Sequence, residues 1–247
     1  MARLGAQPGD RAGEFSRVQG LIAEEVSSSA GTAGWLTGLC RTLARELPAS
    51  GAGISLMTEA GTSATAAASD ANYQAVEELQ FTLGEGPCLE AFASGRPVLV
   101  PDLDADATGR WPVYRSDVQA HGIRAVFAFP LQMGTARLGA MDVFREQVGP
   151  LSGSALAQAL TFAEVATMTL IDGQENAPDD QPAGLGVALD TSLEVYQAQG
   201  MVMVQLGVSL HEALARIRAY AYANDRALGS VARDIVGRKL SLERDEP

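Results

Sequence analysis

The stretch GIRAVFAFPLQMGTARLGAMDVF, Gly122 to Phe144, decides how this chain folds. Ile123 to Leu131 and Arg137 to Phe144 are runs of apolar, aromatic and β-branched residues, joined at Met133 to Thr135 and flanked by Gly122 and Gly149. That pattern predicts an antiparallel strand pair placed centrally in a sheet.

Upstream, apolar residues at helical spacing predict helices over Glu14 to Val26 and Thr32 to Leu47, the second ended by Pro48 and the Ser50-Gly51 pair. A hairpin follows, with strands Gly53 to Thr58 and Thr62 to Ser69 about a turn at Glu59 to Gly61. Short helices are expected at Asn72 to Leu79, Pro87 to Ser94 and Tyr114 to Ala120, with a strand at Pro97 to Val100. Downstream, the alanine-rich Ser154 to Ile171 reads as a long closing helix. Helices, antiparallel strands and a helix in that order make an α+β domain over residues 14–172, after a disordered N-terminus at 1–13. Residues 173–184 lack large apolar side chains and hold two prolines, a linker composition. Three helices are then expected within 185–241, ahead of a tail at 242–247. Leu189, Leu193, Tyr196, Gly200 and Met203 give the first a short heptad seam that points to a helix shared with a second subunit. Ser209-Leu-His-Glu is a capping box opening the second, and Asn224 or Asp225 caps the third.

The net charge of −12 is uneven: residues 1–189 hold 11 basic and 22 acidic side chains, residues 190–247 hold 7 and 8. Any nucleic-acid contact therefore falls to the last sixty residues. No uninterrupted apolar run reaches the roughly 18 residues that span a bilayer, and the first twenty residues do not read as a secretory signal, so the expected setting is cytoplasmic, away from membranes. Two cysteines and two histidines, scattered singly, give no metal-binding spacing, and no cofactor is implied.

Phosphate-binding loop, dinucleotide, zinc-protease and nucleophile-elbow motifs are all absent, which points away from an enzyme. The sharpest local feature is Gly84-Glu-Gly-Pro-Cys88, where a glycine turn sets Cys88 at a helix start. There the helix dipole can activate the thiol, or the cysteine can simply pack inside. His121 reads as a ligand or as a helix-end residue; Arg110, Trp111 and Tyr114 read as pocket lining or as packing.

Gly84 to Leu103 (GEGPCLEAFASGRPVLVPDL), Arg110-Trp-Pro112 and the Gly122 to Phe144 stretch together resemble a GAF domain. Tyr196 to Met203 (YQAQGMVM), Ser209 to Glu212, Ile217-Arg-Ala-Tyr-Ala221 and Leu228 to Val236 resemble an ANTAR domain, so the whole is similar to actinobacterial GAF-ANTAR transcription antiterminators. The resemblance implies a sheet of about six antiparallel strands flanked by helices, then a three-helix bundle that binds paired RNA hairpin loops as a homodimer. It implies RNA-facing roles for Ala198, Gln199, Gly200, Arg218, Ala221, Asn224 and Arg226, with Gln199 standing where the family commonly has a basic residue. It also implies a sensing role for the first domain, toward a small molecule, redox state or protein, with Cys88, Arg110, Trp111, Tyr114 and His121 as candidates. Two alternatives stand beside it: a DNA-binding regulator, from the helix-turn-helix-like Leu228 to Ala232, and a GAF-type methionine sulfoxide reductase using Cys88.

Overall fold

The computed structural model describes residues 8–26, 31–58, 63–105, 109–175 and 186–242. Its centre is the expected strand pair, β4 (Ala125–Met133) and β5 (Ala136–Arg145), antiparallel with Phe129 opposite Met141. β1 (Gly51–Met57) pairs with β5, β2 (Ser63–Ala68) with β1, and β3 (Val98–Val100) with β4, giving the order β2-β1-β5-β4-β3. The sheet has five strands among the described residues, where the resemblance implied about six. The expected turn at Glu59 to Gly61 lies outside the described residues.

The two-residue period of the central strands sorts side chains onto two faces. Phe127, Phe129, Leu131, Met141 and Val143 point to one side, under α1 (Pro8–Glu25), α2 (Gly31–Glu46) and α6 (Gly153–Glu175). Val126, Ala128 and Phe144 point to the other, under α3 (Ala71–Leu83), α4 (Pro87–Ser94) and α5 (Pro112–Ala120). Helix α6 has the length and mean hydropathy of a membrane-crossing helix, which uninterrupted runs did not reveal. Its Phe162, Val165, Ala166 and Leu170 are buried in the core beside the sheet, which accounts for that composition.

α1 begins at Pro8, so part of the segment expected to be disordered is helical. α6 likewise continues to Glu175, into the expected linker, of which residues 176–185 lie outside the described residues. α7 (Gly186–Leu206), α8 (Leu210–Ala223) and α9 (Leu228–Val236) form the expected three helices. Ser209 caps α8 by accepting the Glu212 N–H at 3.2 Å, as the capping box predicts. Neither Asn224 nor Asp225 caps α9: Asn224 ends α8, donating from Nδ2 to the Tyr220 carbonyl, and Asp225 makes the turn at φ +49°. Leu242, expected in the tail, is buried against the bundle.

The bundle does not stand apart from the sheet domain. Met57, Phe81, Cys88 and Ala140 of the first domain share one apolar cluster with Val195, Val202, Leu214 and Ile217 of the bundle. α7 lies against β2, and α8 and α9 against α3.

Candidate functional site

Three small residues on alternate positions of β1 build the site. Gly51, Gly53 and Ser55 face α3, and a Cβ at either glycine would collide with Tyr73 or Glu77 at under 2.5 Å. Their smallness lets α3 lie directly on the sheet and brings the Glu77 carboxyl down onto it. In register with Gly53 stands Asp142 of β5. Ser55 Oγ donates to Glu77 Oε2 at 2.8 Å, and Gln80 Nε2 donates to Asp142 Oδ2 at 2.6 Å. The Gln80 Oε1 then accepts the backbone N–H of Cys88 at 2.8 Å, passing over Gly86, where a Cβ would stand only 2.3 Å from that oxygen.

The donor atoms of Glu77, Cys88 and Asp142 thus lie within 4.8 Å of one another, fully buried. Glu77 Oε1, Asp142 Oδ1 and the Tyr114 hydroxyl have no hydrogen-bond partner among the described residues. Among the described residues no basic side chain bonds to this group. Burial, then the Asp142 charge, pushes Glu77 well above the usual carboxylate range; burial also lifts Asp142, to about 7. Burial, then Asp142 and Glu77, raises Cys88 too. That is opposite to the activation expected of a thiol at a helix start, and the packed-cysteine reading describes it better.

The sign of the pH dependence follows from the two carboxyls. The folded state keeps protons that the unfolded chain releases near pH 4, so stability falls as pH rises from there through about 7. In chelator, wild type melts higher at pH 5.5 than at pH 8, with a slope of up to about 1.4 kcal/mol per pH unit per group. Asp142→Asn reduces that slope, Glu77 keeping its share; an unchanged slope in this variant would show that Asp142 is not a cause.

Of the sensing candidates, Cys88 and Tyr114 come together here. Trp111 is buried nearby at φ +49°, its ring under the Arg110 guanidinium at 4.5 Å, while Arg110 pairs with Glu90 at 2.8 Å. Trp111 offers no side-chain cap to α5; Glu85 Oε1 caps it instead, accepting from Val113 and Tyr114. His121 sits apart, exposed at the end of α5, with Nδ1 3.4 Å from Asn72 Oδ1. Sequence reasoning missed Ser55, Glu77, Gln80 and Asp142. The available signal was an aspartate in mid-strand between Met141 and Val143.

The RNA candidates divide differently. Ala198, Gln199 and Ala221 are interior to the bundle, Gln199 donating to the Leu210 carbonyl at 2.7 Å. Close helix packing occupies them in this arrangement, so the expected RNA-facing role is not open to these side chains as they stand. Gly200 faces open space, and Asn224 is exposed. Arg226 binds Ser230 and Asp234 across the α8–α9 turn, holding the Asp234 carboxyl below its usual range. Arg218 does not point away from the rest of the molecule. Its guanidinium packs onto Gly84, Nη1 lying 2.6 Å from where a Cβ would stand. Nε has no hydrogen-bond partner among the described residues, and desolvation lowers the pKa of the guanidinium.

A sheet domain carrying an internal polar cluster, joined to a helical bundle seated against it, is the layout of a sensor with an effector. The chain belongs to the GAF domain family, which it matches over residues 35–205, and it matches the ANTAR domain family over 183–236. This is the architecture of a GAF-ANTAR regulator of transcription. No curated protein sequence matches the chain. Among solved structures it resembles the GAF domain of a Coxiella burnetii phosphoenolpyruvate-protein phosphotransferase, at 16% identity over 66% of this chain and 96% of that one, with a TM-score of 0.54. It also aligns with the free methionine-R-sulfoxide reductase of Neisseria meningitidis, at 13% identity over 72% and 99%, but the TM-score of 0.47 is too low to carry that activity here.

Proposed function

We propose that the protein is a signal-responsive antiterminator whose ANTAR bundle binds paired RNA hairpin loops once it is released from its seat on the sensor domain. The observation that supports this is Arg218. An arginine suits forked or stacked contacts with unpaired bases. Here it is half-buried against the sensor, and its Nε has no hydrogen-bond partner among the described residues. Release of the bundle would free it beside Gly200 and Asn224.

The active form is a homodimer through α7. Leu193, Tyr196, Met201 and Val204 leave that helix uncovered, Val204 at 76% exposure. These side chains follow or adjoin the heptad seam, and they face away from the bundle's own core. A cleft of about 270 Å³ between β2, α3, α7 and α9 leaves the rim of the intramolecular interface unsealed, as suits a contact that must open.

The test is binding of a two-hairpin RNA, a scrambled RNA and duplex DNA to the full-length protein and to a variant with the interface loosened. Selective, two-protomer binding of the paired hairpins, strengthened on loosening, is expected. Equal binding of scrambled RNA by both proteins would overturn the reading, and preference for duplex DNA would replace it with the DNA-binding one. Within the architecture of a regulator, no catalytic role is proposed for Cys88.

A further inference from the structure

We infer that Glu77, Cys88 and Asp142, with the Tyr114 hydroxyl, form an internal binding site for one divalent transition-metal ion of the zinc or ferrous type. The inference goes beyond the RNA-binding reading: it concerns the sensor domain alone, and its readout needs no RNA.

Three independent features carry it. The three donor atoms already lie within 4.8 Å of one another, whereas tetrahedral bonds of about 2.0 to 2.3 Å place ligands roughly 3.3 to 3.8 Å apart. Side-chain rotation of about an ångström would close the set. Next, Glu77 Oε1 and Asp142 Oδ1 are buried acceptors with no hydrogen-bond partner among the described residues, and the Tyr114 hydroxyl, from a different helix, is buried and unpartnered there too. Orphaned buried acceptors are rare in folded proteins and call for a partner that brings positive charge. Finally, the remaining oxygens and the Cys88 backbone are held by Ser55 and Gln80. Those bonds orient the ligands from behind, as supporting residues do in established metal sites.

The donor chemistry selects the ion. Magnesium and calcium take six or more oxygens and no sulfur, while cuprous copper avoids carboxylates. One thiolate, two carboxylates and a phenol suit a borderline divalent ion. Binding is an exchange: the cation brings two positive charges, and the protons of Cys88 and of any protonated Glu77 or Asp142 leave to solvent. The site spans α3, α4, α5 and β5, and α3 carries the surface on which α8 and α9 rest. Drawing the ligands together would therefore act on the seat of the bundle.

Because the ligands are buried, full-length protein is refolded from denaturant with one equivalent of Co²⁺, then titrated with Zn²⁺, Fe²⁺ under argon, or Mg²⁺. A thiolate-to-cobalt charge-transfer band at one ion per chain is expected. Zn²⁺ or Fe²⁺ should displace the cobalt and so name the ion, while Mg²⁺ should not. Cys88→Ser should abolish the band and weaken binding at least tenfold; Cys40→Ser should leave it intact. Asp142→Asn guards against a folding artefact, since it should lose the band while keeping the far-ultraviolet circular dichroism of the wild type. Absence of the band in refolded wild type, or its persistence in Cys88→Ser, would overturn the assignment. So would an undiminished band in Asp142→Asn.

Discussion

Arg218→Met is expected to make the protein more stable and less able to bind RNA. The half-buried guanidinium keeps its charge at any physiological pH, its Nε finds no acceptor among the described residues, and desolvation lowers its pKa. Leaving such a group unmet costs about 1–3 kcal/mol, and methionine retains the stem that packs on Gly84 while removing that cost. At about 2–4 °C per kcal/mol for a chain of this size, the melting temperature should rise by several degrees. Loss of an arginine contact to an RNA base should weaken hairpin binding by about five- to 150-fold, the equivalent of 1–3 kcal/mol. Calorimetry and fluorescence anisotropy on one preparation separate the possibilities. A purely structural Arg218 would give the reverse, a lower melting temperature with RNA binding unchanged.

Phe81→Ala should act in the opposite direction on binding. Phe81 lies in the last turn of α3, nearly fully buried, and lines the cleft against Val195 and Leu228. Truncating a buried phenylalanine costs about 3–5 kcal/mol, part of it here from the seat of the bundle. If half or more falls on that interface, the closed fraction drops by tenfold or more and RNA affinity rises correspondingly, up to the limit set by how closed the wild type was. Small-angle scattering should show the same variant extended. An extended variant with unaltered RNA affinity would mean that the interface does not gate binding.

The fold was largely legible because its signals are local. The β4–β5 alternation, the Ser209 capping box and the Pro87 helix start each predict their own element, and each stands where expected. What stayed hidden depends on chain separation. Glu77 and Asp142 are 65 positions apart and meet only because Gly51 and Gly53 let α3 down onto the sheet. A search for cysteine and histidine spacing passes over a site made of two carboxylates and one thiol. The seating of the bundle was equally invisible, since Phe81 and Met57 look like any core residues of an α+β domain. Ala198 and Ala221 show a different limit: a small residue on a helix reads equally as room for a ligand and as room for another helix, and here the neighbour is helical.

Gly84 closes α3 in a left-handed turn at φ +73°, and the space its missing side chain leaves is taken by Arg218. Under the proposed function one arginine serves both the sensor and the hairpin, and thermodynamic linkage makes that rivalry symmetric. Whatever factor a sensor ligand contributes to hairpin affinity, the hairpin must return to the sensor ligand. On that proposal the transcript is an effector in its own right: cells rich in target leaders would respond at a different signal threshold from cells that have few.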